Sequence, residues 1–112
     1  MDNTYDEVLL RMKTMESLLY DKLEELQYGV DNLDATCYTL RMYAEWMMDT
    51  VGFSPLTYSE LAKLKDSFLT FEVLLTLDDE DVTEYVSDNL YLQAREFHRV
   101  VGKLIVSLEE LL

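Results

Sequence analysis

The amino-acid sequence predicts an all-α fold, an antiparallel helical bundle of three to four amphipathic helices with short connections. Apolar residues recur at helical spacing almost from end to end of the 112-residue chain. Only three glycines and one proline are present, which is typical of long uninterrupted elements rather than of a turn-rich β-sandwich. Hydrophobic residues make up 49% of the chain, enough for a packed core, and the length suits a single helical domain over residues 1–112.

The first half of the chain carries an apolar series with heptad-like steps. It consists of Val8, Met12, Met15, Leu19, Leu23, Leu26, Val30, Leu33, Cys37, Leu40, Ala44, Met47 and Val51. Gly29 suits the left-handed residue that follows a helix, and Asp31 suits the cap of a new one. We therefore favour two helices joined by a turn. The alternative is one long coiled-coil-like helix of about 48 residues and roughly 70 Å, which would require a partner chain to cover it.

The third helix has clear boundary signals at its start. Gly52-Phe53-Ser54-Pro55 ends the preceding helix, because proline cannot continue the backbone hydrogen-bond ladder. Thr57-Tyr58-Ser59-Glu60 is a capping box directly ahead of an apolar run. The apolar stripe of this helix is Leu61, Leu64, Phe68, Phe71 and Leu75.

The last helix follows the break at residues 76–79 and is the longest of the bundle. Its apolar positions are Val82, Val86, Leu90, Ala94, Phe97, Val101, Leu104, Leu108 and Leu111. Because this helix is expected to extend past its neighbours, we expect its tail, residues 104–112, to expose apolar surface. Such surface usually marks an interface, so the sequence favours self-association as a homo-oligomer, a dimer, or a partner chain.

The chain is strongly acidic, with 23 acids against nine bases, a net charge of −14 and a pI near 4.2. This charge disfavours direct binding to nucleic acid or to an anionic membrane surface, and it favours a partner protein with a basic surface. The alternative is that the acidity only keeps the chain in solution. The acidic start of the chain, its single cysteine and the lack of an apolar run of about 20 residues predict a cytoplasmic protein.

No pattern in the sequence predicts catalysis, a metal or a cofactor. His98 is the only histidine, and Arg95 stands where a di-iron helix pair would need glutamate. Cys37 lies on the apolar stripe, which favours a buried structural thiol over a nucleophile. The three glycines are isolated and build no phosphate-binding loop. We therefore expect a protein that is not an enzyme and has no cofactor.

Carboxylates are concentrated in two stretches of the chain, and these are the predicted partner-binding residues. The stretch 78–88 holds six acids and no base, namely Asp78, Asp79, Glu80, Asp81, Glu84 and Asp88. A second concentration, in the first half of the chain, includes Glu24 and Glu25. If the first and last helices pack together, the two could form one negative face that imitates the phosphates of a nucleic acid.

This pattern predicts an inhibitor that occupies the basic, nucleic-acid-binding surface of a target protein. Small phage-encoded inhibitors of host defence enzymes have a similar build, although no motif here carries a family resemblance. Two alternatives remain. Tyr43 and Trp46 lie in an aromatic and methionine-rich stretch, which favours a small adaptor or secretion-type chaperone that binds an apolar segment, unless these residues simply cap the bundle. The other alternative is a self-assembling coiled-coil protein.

Overall fold

The computed structural model of the chain describes residues 4–28, 33–75 and 84–111. Within these ranges the chain forms four helices and no strand, so the predicted all-α class is confirmed. The helices are α1 (Thr4–Tyr28), α2 (Leu33–Val51), α3 (Tyr58–Leu75) and α4 (Glu84–Leu111). None of these four helices is long and apolar enough to cross a membrane.

The first half of the chain forms two helices rather than one. Val8 of α1 and Thr50 of α2 line the same cleft. A single straight helix would place these two residues about 63 Å apart, so α2 must fold back along α1. The alternative of one long helix is therefore wrong. The turn predicted at Gly29 itself falls in residues 29–32, which lie outside the described residues.

The four helices pack as an up-and-down bundle in which each helix runs antiparallel to its neighbours. α1 packs against α2 and α4, and α3 packs against the same two helices from the other side. Lys13 near the start of α1 pairs with Glu109 near the end of α4, with Nζ and Oε1 3.3 Å apart. The chain measures 51 × 24 × 17 Å, and its longest helix, α4, spans about 42 Å.

The core forms along the predicted apolar stripes, and α4 supplies the largest share of it. Of the nineteen buried apolar residues in the described ranges, eight belong to α4. They are Leu90, Ala94, Phe97, Val100, Val101, Leu104, Ile105 and Leu108. The Phe97 ring stacks on Phe71 of α3 at a centroid distance of 5.7 Å and contacts Phe68 at 6.1 Å. α4 is thus covered on two sides, by α1 and by α3.

The tail of α4 is not the exposed apolar surface that the sequence predicts. Leu104, Ile105 and Leu108 are buried in the core, and of the described apolar residues in the tail only Val106 and Leu111 are exposed. The reason is the antiparallel packing, because the start of α1 lies alongside the end of α4 and covers it. The prediction of a homodimer therefore loses the feature on which it chiefly depended, and it stays a prediction.

The junction between α2 and α3 follows its sequence signals closely. The amides of Gly52, Phe53 and Ser54 donate to the carbonyls of the last turn of α2, at 3.0 to 3.3 Å. At the start of α3 the amide of Glu60 donates to Oγ1 of Thr57 at 3.2 Å. The Thr57 amide in turn donates to Oε1 of Glu60 at 3.4 Å, which completes the predicted capping box.

Replacing Phe97 with alanine should lower the free energy of unfolding by about 3–5 kcal/mol, because the ring is fully buried between two other phenylalanines. Urea denaturation followed by circular dichroism measures this change. The matched control is Leu92→Ala in the same helix, whose side chain is 54% exposed and should cost far less. Equal losses in the two variants would contradict the assignment of Phe97 to the core.

Lowering the pH should weaken the start of α3. Hydrogen bonds from the side chains of Thr57 and Ser107 lower the pKa of Glu60. A carboxylate with a depressed pKa stabilises the fold above the ordinary glutamate pKa of about 4.3, and this contribution is lost as the pH falls through the lower value in the folded state.

Thr57→Ala should destabilise the protein by about 1 kcal/mol near neutral pH, the usual cost of losing a helix cap. Unfolding free energies of the wild type, Thr57→Ala and Glu60→Gln, measured between pH 7 and pH 3, test both expectations. Both variants should show a shallower acid dependence than the wild type. An unchanged acid dependence in Glu60→Gln would contradict the role given to the capping box.

Candidate functional site

The antiparallel packing places the C-terminal turns of α1, which carry Asp21, Glu24 and Glu25, at the same end of the bundle as the first turns of α4, which carry Glu84 and Asp88. The C-terminus of α1 and the N-terminus of α4 lie side by side there, together with the start of α2 and the end of α3. We call this the acidic end and define it by residues 21–28 of α1 and 84–90 of α4. The merging of the two acidic stretches into one negative face stays a prediction, because residues 29–32 and 76–83 lie outside the described residues.

On the α1 side of the acidic end the carboxylates face solvent. Asp21, Glu24 and Glu25 are all exposed. Lys22, the only base between residues 21 and 34, is held by Glu25, with Nζ 3.1 Å from both carboxylate oxygens. Asp21 and Glu24 form no ion pair with any described residue, so their charges stay available to a partner.

On the α4 side the acidic end contains the predicted residues Glu84 and Asp88. They are one turn apart in the first two turns of α4, where negative charge is favoured by the helix dipole. Their side chains lie outside the described residues, as do Asp78, Asp79, Glu80 and Asp81 in the segment 76–83 that joins α3 to α4.

Tyr43 and Trp46 lie elsewhere on the bundle. Their rings contact each other at a centroid distance of 5.9 Å, with Tyr43 packed against the core and the Trp46 residue 44% exposed. Thr50 of α2 and Arg11 of α1 line one cleft and so lie at the same level of the bundle. From that level, Trp46 is one turn along α2 and Glu24 is 13 residues along α1, both in the direction of the acidic end. Trp46 is therefore roughly 14 Å from Glu24 along the bundle axis. The predicted partner-binding residues form two separate surfaces.

Two residues that the sequence analysis weighed for chemistry have surroundings that differ from the expectation. His98 does not lie on an open helix surface, since its Nε2 is buried 3.4 Å from Oε1 of Glu16 without a hydrogen bond, and its ring lies 5.9 Å from Tyr20. Cys37 is half-buried against the core rather than fully buried. In the three described ranges no cluster of three or more histidine, cysteine or carboxylate side chains could hold a metal ion.

A polar groove between α3 and α4 is the feature that sequence analysis missed. Its volume is about 520 Å³, and three of the nine bases of the chain, Lys63, Arg99 and Lys103, line it. Arg99 and Lys103 of α4 are one turn apart, a spacing that can be read from the sequence. What the sequence could not show is that Lys63 of α3 lies across from this pair.

No known protein-family model matches the chain, and no curated protein or solved structure is similar to it.

Proposed function

We propose that this chain is a non-enzymatic protein-binding protein that presents its acidic end to a basic, nucleic-acid-binding surface of a target protein. The observation that supports this proposal is the packing of α1 against α4, which brings Asp21, Glu24 and Glu25 to the end of the bundle where α4 begins with Glu84 and Asp88. The stretches 21–34 and 78–88 contain eleven acids and one base, and so carry −10 of the net charge of −14.

The unequal distribution of charge favours a role in binding a partner over a role in keeping the protein in solution by charge repulsion. Carboxylates spread evenly over the bundle would keep it in solution equally well, and would avoid the mutual repulsion of charges gathered at one end. A concentrated negative field instead attracts a basic surface and accelerates encounter. Carboxylates on packed helices are also held in place before binding, so little ordering is lost when a partner docks.

The target surface would be one that ordinarily binds a phosphate backbone. Asp21 and Glu24 are exposed, unpaired and one turn apart, so they present two negative charges on one face of α1. Arginine and lysine side chains that donate hydrogen bonds to phosphates bind carboxylates in the same way. The chain would then compete with nucleic acid for its target, as expected for an inhibitor of the phage type.

A second candidate function is an adaptor that binds an apolar segment of a partner, and the exposed Trp46 beside Tyr43 favours it. Tryptophan and tyrosine are enriched at interface centres. The adaptor would use a surface well separated from the acidic end and would bind in a way that resists salt. The two candidates are therefore distinguishable by salt and by point substitution.

The first test is capture of proteins from a cell lysate on the immobilised chain, at low and at high salt, with and without an excess of duplex DNA or RNA. We expect to capture a nucleic-acid-binding protein that is released both by salt and by added nucleic acid. Salt screens the attraction between the chain and the basic surface, and nucleic acid competes with the chain for that surface. A partner that withstands both treatments would contradict the proposal and favour the adaptor.

With the captured target purified, Asp21→Asn combined with Glu24→Gln should weaken binding about fivefold at low salt, from about 0.5 kcal/mol for each exposed charge pair. The matched control is Asp49→Asn combined with Glu110→Gln, which removes two exposed carboxylates away from the acidic end and should leave affinity nearly unchanged. Trp46→Ala should also bind normally. Loss of binding in Trp46→Ala, with the acidic variant unaffected, would instead assign the interface to the aromatic surface.

A further inference from the structure

The groove between α3 and α4 holds an arrangement of charge that the proposed function does not use. Lys63 lies one turn after Glu60, and Lys103 one turn before Ser107, on helices that run antiparallel. Because all four of these residues line the groove, Lys63 and Lys103 lie on facing walls of it. Two cations thus face each other on a protein in which acids outnumber bases by 23 to nine.

Three carboxylates also line the groove, those of Glu60, Asp66 and Glu96, and two of them are engaged elsewhere. Glu60 belongs to the capping box, where Thr57 bonds to it, and Glu96 forms two hydrogen bonds with Arg99. These hydrogen bonds lower the pKa of both carboxyl groups, so both remain ionised and bound. Lys63 and Lys103, by contrast, form no ion pair within 4 Å among the described residues.

The groove also contains a polar atom with no partner. Oγ of Ser67 is buried and forms no hydrogen bond, although Ser67 lines the groove one turn after Lys63. A buried hydroxyl without a partner destabilises the fold. Leu104 and the buried Val100 supply the apolar part of the wall. A volume of about 520 Å³ is in the usual range for small-molecule sites.

We infer that this groove is a binding site for a small organic oxyanion, a phosphate- or carboxylate-bearing molecule. Lys63 and Lys103 would contact the anionic group from both sides, and rotation of the Ser67 side chain about χ1 would turn its hydroxyl into the groove to donate to one of its oxygens. The net charge of the chain does not forbid such a ligand. Asp88 begins the acidic end about 22 Å from Lys103 along α4, well beyond the Debye length of about 8 Å at physiological ionic strength.

The site is tested by isothermal titration calorimetry of the full chain with sodium pyrophosphate and with sodium citrate, at constant ionic strength. We expect saturable one-to-one binding of at least one of the two probes, and the stronger probe distinguishes phosphate from carboxylate chemistry. Glycerol, which has hydroxyls but no charge, should give no heat of binding. If neither anion binds saturably up to 10 mM, on the order of the weakest specific affinities, the inference is wrong.

Two variants assign the binding to the groove. Lys63→Gln combined with Lys103→Gln should weaken the bound probe at least tenfold, whereas Lys13→Gln combined with Lys65→Gln removes the same charge outside the groove and should change affinity less than twofold. Ser67→Ala leaves the charge untouched and should weaken binding about three- to tenfold, the usual effect of one hydrogen bond. Equal losses of affinity in the two lysine double variants would show nonspecific attraction and overturn the inference. Full affinity in both Ser67→Ala and the Lys63→Gln, Lys103→Gln double variant would also overturn it.

Discussion

The packing of α4 between α1 and α3 is the interaction on which the rest of this structure depends. α4 contributes eight of the nineteen buried apolar residues described, and Phe97 at its centre stacks against the phenylalanines of α3. Burial on two sides requires both neighbours to follow α4 along most of its length. α2 then closes the bundle against the remaining sides of α1 and α3, a role its four buried apolar residues support.

The same packing decides where the charges of the chain lie. Because neighbouring helices are antiparallel, the acidic C-terminal turns of α1 meet the acidic N-terminal turns of α4. A parallel arrangement of these two helices would have separated the acidic stretches by the length of the bundle. Along the other half of α4, the antiparallel register places Lys63 of α3 opposite Lys103. One packing constraint therefore brings acidic helix ends together and also forms a groove in which Lys63 and Lys103 have no ion-pair partner among the described residues.

The two surfaces are independent in their chemistry and in their position. The acidic end carries the exposed carboxylates of Asp21, Glu24 and Glu25, whose long-range attraction for a basic surface is screened by salt. The groove is a concave site of small-molecule size, in which hydrogen bonds hold two of the local carboxylates. Trp46 and Tyr43 form a third surface on α2. A protein of 112 residues thus has room for separate contacts with a protein and with a small ligand.

The sequence by itself determined the helices, because periodicity and capping are local properties. Apolar spacing placed the buried stripes, and Thr57 with Glu60 located the start of α3 to the residue. It could not determine how far α1 would cover the end of α4, and so the buried Leu104, Ile105 and Leu108 were mistaken for an exposed tail. Nor could the sequence show that Lys63 and Lys103 line one groove, or that Trp46 and Glu24 lie on separate surfaces. Such relations join residues distant in the chain, and only the tertiary packing of one helix against another sets which of them meet.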